Sequence, residues 1–327
     1  MRRLHLAQES WPIRGSFTIS RGAKREAQVV VASISEGAFT GRGECVPYGR
    51  YGESMASVMA QLGSLKSGIE AGMSRAQLQD ACTPGAARNA LDCALWDLEA
   101  KLCGMPVWKL AGLPAPGPCV TAYTLSLDTP AAMAAAAAKA AQFPVLKLKL
   151  GADAVIESVR AVHDAAPQAK LIIDANEAWD LALLQAVSPH LKAAHAVLIE
   201  QPLPAGADAQ LAGQDWPVPL CADESCHDSA GLAQLRGLYG LINIKLDKTG
   251  GLTGALALAR VARGQGFGIM VGCMVSTSLA MAPALLLAGM ADFVDLDGPL
   301  LLQQDRPGGL RSQAGGILYP PDPALWG

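Results

Sequence analysis

The sequence predicts a TIM-like α/β barrel preceded by a smaller α+β unit, and three observations carry this reading. From Cys119 to Leu296 eight short apolar runs alternate with longer helical stretches, as in a parallel sheet with crossover helices. Charged residues gather at the carboxyl ends of those runs, where a parallel barrel keeps its working groups. Residues 1 to about 115 follow neither pattern.

In the first unit, Val29–Ile34 is short and β-branched, and Thr40–Cys45 resumes after a Glu-Gly turn, which together predict an antiparallel sheet. A helix follows, because Ala87, Leu91, Ala94, Leu95, Leu98 and Leu102 recur at helical spacing and Gly104 with Pro106 stops them. The run GLPAPGPC reads as a linker. The apolar runs are Cys119–Leu125, Val145–Leu150, Lys170–Asp174, Ala196–Glu200, Val218–Ala222, Leu241–Leu246, Phe267–Val271 and Phe293–Leu296. Helical stretches between them include Ala131–Ala141, Ala154–Ala166, Asp228–Leu235 and Leu252–Arg263. An open doubly wound sheet alternates in the same way, but eight strands in so short a stretch favour closure into a barrel.

Composition narrows the function classes. Hydrophobic residues make up 51%, charged residues 17%, and the net charge is −3, which offers no basic surface for nucleic acid or an anionic membrane. Small-molecule chemistry is the expectation. The eight cysteines are scattered, without zinc-finger or redox spacing and without a signal peptide ahead of them, so reduced thiols in a cytoplasmic protein are expected. Gly264–Ala291 carries no charge and is long enough to span a bilayer. Its glycines, its Ser-Thr-Ser cluster and Pro283 read instead as strand, polar loop and buried helix.

Charges on buried strands need a reason. The second run closes on Lys147 and Lys149, the third on Asp174, the fourth on Glu200; the fifth leads into Asp223 and Glu224, the sixth carries Lys245 and Asp247, and the eighth ends at Asp295 and Asp297. Any one of these acids alone reads as a helix cap or an ion-pair partner. Asp174, Glu200 and Asp223 come from consecutive strands, and three oxygen donors converging without a cationic neighbour suit a hard divalent ion such as Mg²⁺. Lys147 and Lys149 are two apart and share the inward face. Strands two and six lie four apart in a ring of eight, so Lys149 and Lys245 approach the mouth from opposite sides. Two opposed amines beside a metal imply proton transfer at the α-carbon of a carboxylate substrate, the metal stabilising the enediolate. One lysine takes the proton from one face and the other returns one to the opposite face, inverting the centre. Burial, Lys147 and the metal are expected to lower the base's pKa.

The segments LKLKLG, IIDANEAW, LIEQPLP, CADESCH and NIKLDKTGGL resemble, in order and spacing, the muconate lactonizing enzyme subgroup of the enolase superfamily. GRGECVPYGRYGES and GAARNALDCALWDL resemble that family's capping domain. The resemblance implies a (β/α)7β barrel over residues 116–309, capped by an α+β domain over 1–115 that the C-terminal segment 310–327 joins. Within the subgroup the chain is most similar to the dipeptide epimerases, those of the L-Ala-D/L-Glu type above all. DFVDLDGP matches their acidic pair, which implies that Asp297, supported by Asp295, holds a dipeptide's free ammonium. By position, Lys149 and Lys245 are the implied acid/base pair and Asp174, Glu200 and Asp223 the implied Mg²⁺ ligands. Lys147, Asn176 and Thr124 complete the implied substrate site, and ISRGAKR offers Arg21, Lys24 and Arg25 to an acidic side chain. The expected partner is a small dipeptide, of the kind released from murein, with homo-oligomerisation open.

Other features carry less. Lys248 lies three after Lys245, on the opposite strand parity, and is assigned no catalytic role. GQGFG ends a helix, His163, His190 and His195 read as packing or surface residues, and Ser276 and Ser278 form no nucleophile elbow although they are placed to line the pocket. Racemisation of N-acylated amino acids, o-succinylbenzoate synthesis and cycloisomerisation are the alternatives within the subgroup. A non-catalytic barrel is the alternative outside it.

Overall fold

The computed structural model describes residues 1–327. Three antiparallel strands, β1 (Arg2–Ile19), β2 (Gly22–Glu36) and β3 (Phe39–Cys45), form the first sheet. The sequence reading missed β1, whose side chains are mostly exposed or half-exposed, so no apolar alternation marks it. β1 and β2 run together as a long hairpin whose tip pairs Ile19 with Gly22. Helices α1 (Met55–Glu70), α2 (Arg75–Ala81) and α3 (Ala86–Cys103) cover the sheet, followed by a single turn, α4 (Val107–Leu110). α3 lies directly on the backbone of β3: a Cβ on Gly43 would stand 2.2 Å from the Ala90 carbonyl, and one on Gly41 2.2 Å from that of Ala94. The glycines of the GRGE segment are therefore packing requirements.

The expected first barrel strand divides. β4 (Cys119–Val120) pairs with the C-terminal segment, and only β5 (Tyr123–Leu125) enters the barrel. The strands that follow are β6 (Val145–Lys149), β7 (Lys170–Asp174), β8 (Ala196–Glu200), β9 (Leu220–Ala222), β10 (Leu241–Ile244), β11 (Gly268–Gly272) and β12 (Phe293–Asp295). All are parallel and adjacent in chain order. The Ala122 amide donates to the Val294 carbonyl at 2.8 Å, linking the last strand back to the first. Crossovers use α5 (Pro130–Lys139), α6 (Val155–Ala165), α7 (Leu181–Ala193), a 3₁₀ turn at Asp208–Leu211, α8 (Leu232–Leu235), α9 (Leu246–Thr249) with α10 (Leu252–Gly264), and α11 (Ser278–Ala284). α12 (Gly298–Leu301) follows β12, and β13 (Ser312–Gln313) and β14 (Ile317–Leu318) complete the small sheet with β4. No helix is long and apolar enough to cross a membrane; the uncharged stretch is β11, α11 and a 3₁₀ turn.

The barrel interior is layered by the two-residue period of its strands. Ile172, Leu198, Cys221, Leu241 and Met270 form an apolar floor. One step further along the same strands come Asp174, Glu200, Asp223, Asn243 and Gly272. The sequence thus places its carboxylates directly above a dry plug. α3 pins the first unit to this end of the barrel: Arg88 donates to the Thr249 carbonyl at 2.8 Å and Asn89 to Asp247 at 2.8 Å. Trp326 closes the chain by donating to the Cys93 carbonyl at 3.0 Å.

Candidate active site

Four lysines and seven carboxylates are buried at the carboxyl ends of the strands: Lys147, Lys149, Lys245 and Lys248, with Asp174, Glu200, Asp223, Glu224, Asp247, Asp295 and Asp297. Parallel register sets Lys149 opposite Asp174 and Asp174 opposite Glu200. Lys149 donates to Asp174 at 2.5 Å, Lys245 to Asp223 at 2.7 Å, and Lys147 to Asp295 at 2.7 Å. Lys147 Nζ also stands 3.2 Å from Asp174 and 2.6 Å from Glu200 Oε2.

The expectation of three acids without a cationic neighbour is therefore not met: each has a lysine ammonium within ion-pair distance, and the three do not gather into a ready-made cation cage. Strand counting could not show this, because lysine side chains are long enough to reach across to the neighbouring strand. The donor set nevertheless fits a hard divalent cation. Asp174, Glu200 and Asp223 bring carboxylate oxygens together from three consecutive strands, and Glu200 Oε2, approached only by the off-angle Lys147 ammonium, has no aligned hydrogen-bond donor. Burial, then the charge of Asp174, pushes Glu200 up to about 8.

Electrostatics also revise the view of the bases. Burial alone would lower Lys245, but Asp223 and Glu200 outweigh it and hold the ammonium well above its ordinary range. Lys147 is raised in the same way by Asp295, Glu200 and Asp174. Asp223, despite burial, is held far below the usual carboxylate range by Lys245 and Lys248.

Lys248 is on the same face as Lys245, not on the opposite one that strand parity gave it. The chain turns helical at Leu246, so a spacing of three returns Lys248 to the face of Lys245. Its ammonium donates to Asp223 Oδ1 at 2.6 Å and to the Asp223 and Asn243 carbonyls at 2.6 and 2.8 Å. Two further supports were not foreseen. Asn243 donates to Glu200 Oε1 at 2.7 Å, and Gln201 accepts from the Asp223 amide at 2.9 Å. The Asp247 carboxylate faces away, accepting from the Val46 amide at 3.0 Å and from Asn89.

A cavity of about 720 Å³ opens over these groups. Lys149 and Lys245 line it together with Lys147, Thr124, Asn176, Asp223, Asp295, Asp297, Arg21 and Lys24, while Asp174 and Glu200 lie fully buried beneath. Thr124 donates its amide to Asp297 at 2.6 Å, and the Asn176 amide donates to Asp174 at 2.9 Å. Burial, then Asp295, pushes Asp297 up to about 7. Phe17, with its ring centre 5.8 Å from the Lys149 ammonium, forms part of the roof. The hairpin tip brings all three candidate cations to the cavity, where Lys24 and Arg25 have no carboxylate partner and Arg21 does. Arg21 is occupied, donating to Glu224 at 2.7 Å, to the Asn176 carbonyl at 2.7 Å and to Tyr48 at 3.0 Å. Lys24 stands 5.3 Å from the centre of the Tyr48 ring. Ser276 and Ser278 do not line the cavity; they bond to the Met274 carbonyl and to Asp305.

Fold and site together define a capped β/α-barrel enzyme with its polar machinery at the carboxyl ends of the strands. The chain belongs to the enolase superfamily: residues 130–321 match the enolase C-terminal domain-like family and residues 1–112 the mandelate racemase/muconate lactonizing enzyme N-terminal domain. It is 47% identical to the L-Ala-D/L-Glu epimerase of Escherichia coli (strain K12), over 93% of this chain and 96% of that protein. It is 46% identical to an N-acetyl-D-glutamate racemase of a Pseudoalteromonas species, over 91% of this chain and 95% of that one. A crystal structure from Agrobacterium tumefaciens superposes with a TM-score of 0.97 at 52% identity, covering all of both chains. That protein is described as an enolase family member with homology to dipeptide epimerases, with bound sodium and L-Ala-L-Glu. The chain is accordingly an isomerase of the racemase and epimerase kind.

Proposed function

We propose that this isomerase is a cytoplasmic dipeptide epimerase that inverts the α-carbon of the second residue of L-Ala-Glu. The observation that carries the reading is the cavity itself, in which Lys149 and Lys245 enter from strands four apart and a buried acid stands ready for an ammonium. Asp174, Glu200 and Asp223 would hold Mg²⁺. Bound there, the ion would polarise the substrate carboxylate and take up the charge of Asp223 and Glu200 that otherwise keeps Lys245 protonated. Lys149 and Lys245 then serve as base and acid on opposite faces, their roles exchanging with the direction of reaction. Asp297, with Asp295 behind it, receives the dipeptide's ammonium, and Lys24, which lines the cavity beside the equally unpaired Arg25, receives the Glu side chain.

The N-acetylglutamate racemase among the relatives supports a second reading, racemisation of N-acylated glutamate. An Asp297 carboxyl pushed up to about 7 could instead donate to an acyl carbonyl when protonated. The pH dependence separates the two. Asp297 carries its charge above about 7, so KM for L-Ala-L-Glu falls as pH rises towards the dipeptide's own amine pKa of about 8. For N-acetyl-L-Glu, KM would rise over the same window. The test is kcat/KM for L-Ala-L-Glu, L-Ala-L-Leu and N-acetyl-L-Glu from pH 6 to 8. L-Ala-L-Glu should lead at pH 8, and Lys24→Gln should cost its kcat/KM about tenfold or more while leaving L-Ala-L-Leu nearly unchanged. A preference for N-acetyl-L-Glu at pH 8 would overturn the dipeptide reading.

A further inference from the structure

We propose that Glu177 is a positioning residue: the one barrel carboxylate that ties both of two separate loops of the first domain over the cavity, Glu224 holding only the Arg21 loop. Arg50, in the turn Gly49–Tyr51, donates to both Glu177 oxygens at 2.7 Å. Arg21, at the β1–β2 hairpin tip, donates to Glu177 Oε2 at 3.1 Å and to the carbonyl of the preceding residue, Asn176, at 2.7 Å. Both loops form the cavity roof, since Ile19, Arg21 to Gln28 and Val46 to Tyr51 line it. Two roof segments distant in sequence therefore share one anchor.

The anchor is built into the same turn that serves the floor of the site. Asn176 and Glu177 have φ of 45° and 69°, a left-handed conformation that non-glycine residues rarely adopt. Two bonds fix it: the Asn176 amide on Asp174 Oδ1 at 2.9 Å and the Glu177 amide on the Gln201 carbonyl at 2.9 Å. Ala205 donates to Glu177 Oε1 at 2.8 Å, setting the carboxylate's direction. Exposure grades outward, from 9% for the Glu177 side chain to 27% for Arg21 and 37% for Arg50. The anchor is fixed, and its partners sit at the rim where water can displace them. Charge-assisted, bidentate bonds hold the closed form, and their solvent-facing side lets it open to admit and release substrate.

The inference takes the cavity to be the substrate site, but the first half of its test does not. Glu177→Gln keeps an acceptor for Ala205 and removes the charge. Hydrogen exchange of the amides in 19–25 and in 48–52 should both quicken, by about tenfold, with Leu171–Asp174 unchanged. KM for L-Ala-L-Glu should rise about tenfold with kcat within about threefold, a split that general loss of structure would not give. Exchange that quickens in one loop only or in neither, or an unchanged KM, would overturn the proposal. Loosening of both loops with no turnover of any dipeptide would support the latch and count against the substrate. Should Glu177→Gln fail to fold, the Arg21→Gln/Arg50→Gln double variant must move the same two readouts, and wild-type behaviour there would overturn it.

Discussion

Lys149→Ala and Lys245→Ala should each abolish epimerisation, by about 10³- to 10⁴-fold, while α-proton exchange with solvent survives for one epimer in each variant. The two lysines stand on strands four apart in the ring, so in the proposed mechanism they would address opposite faces of a carbon held between them. Removing one leaves the other able to take a proton and return a solvent-derived one to the same face. The variants should therefore be complementary, one exchanging the L-epimer and the other the D-epimer. Both should fold, because Asp174 keeps Lys147 at 3.2 Å when Lys149 is lost, and Asp223 keeps Lys248 at 2.6 Å when Lys245 is lost. Proton NMR of Ala-Glu in D₂O reads the outcome. Inversion at the wild-type rate in both variants would exclude the two-base scheme.

Removal of divalent cations should have an effect of similar size. Chelation should reduce activity on the order of 10³-fold and Mg²⁺ should restore it. A cation that binds only the folded chain should also raise the thermal midpoint, by about 2.7 kcal/mol of stability at a hundredfold excess over its dissociation constant. Glu200→Gln should lose both responses, since it removes the charge of a buried carboxylate whose Oε2 only the off-angle Lys147 ammonium approaches. The sign with pH follows from Glu200, pushed up to about 8. Below that value the carboxyl holds a proton that must leave on binding, so apparent Mg²⁺ affinity should fall as pH drops from 8 towards 6. Titration by differential scanning fluorimetry at several pH values checks this without an activity assay.

The barrel was legible because parallel strands buried on both faces read as apolar runs, and a charge ending such a run has few explanations. Asp174, Glu200 and Lys149 stood out for that reason, and register confirms that they share one level. Three kinds of feature were not legible. β1 gave no signal because solvent, rather than a core, faces most of its side chains. Lys248 was misread because a period of two was carried past the point where the chain turns helical. The ion pairs of the mouth, and the convergence of Arg21 and Arg50 on Glu177, depend on side-chain reach between segments far apart in sequence. The hairpin loop offered three basic residues without ranking them; hydrogen bonding to Glu224 and Glu177 occupies Arg21 and leaves Lys24 and Arg25 at the cavity.

The central claim is that the two lysines invert the second residue of a dipeptide, and incubation of the wild-type chain with L-Ala-L-Glu and Mg²⁺ in D₂O tests it most directly. The expected result is loss of the Glu α-proton signal together with growth of L-Ala-D-Glu deuterated at that carbon, with the Ala α-proton retained. Retention of the Glu α-proton, or exchange confined to Ala, would contradict it.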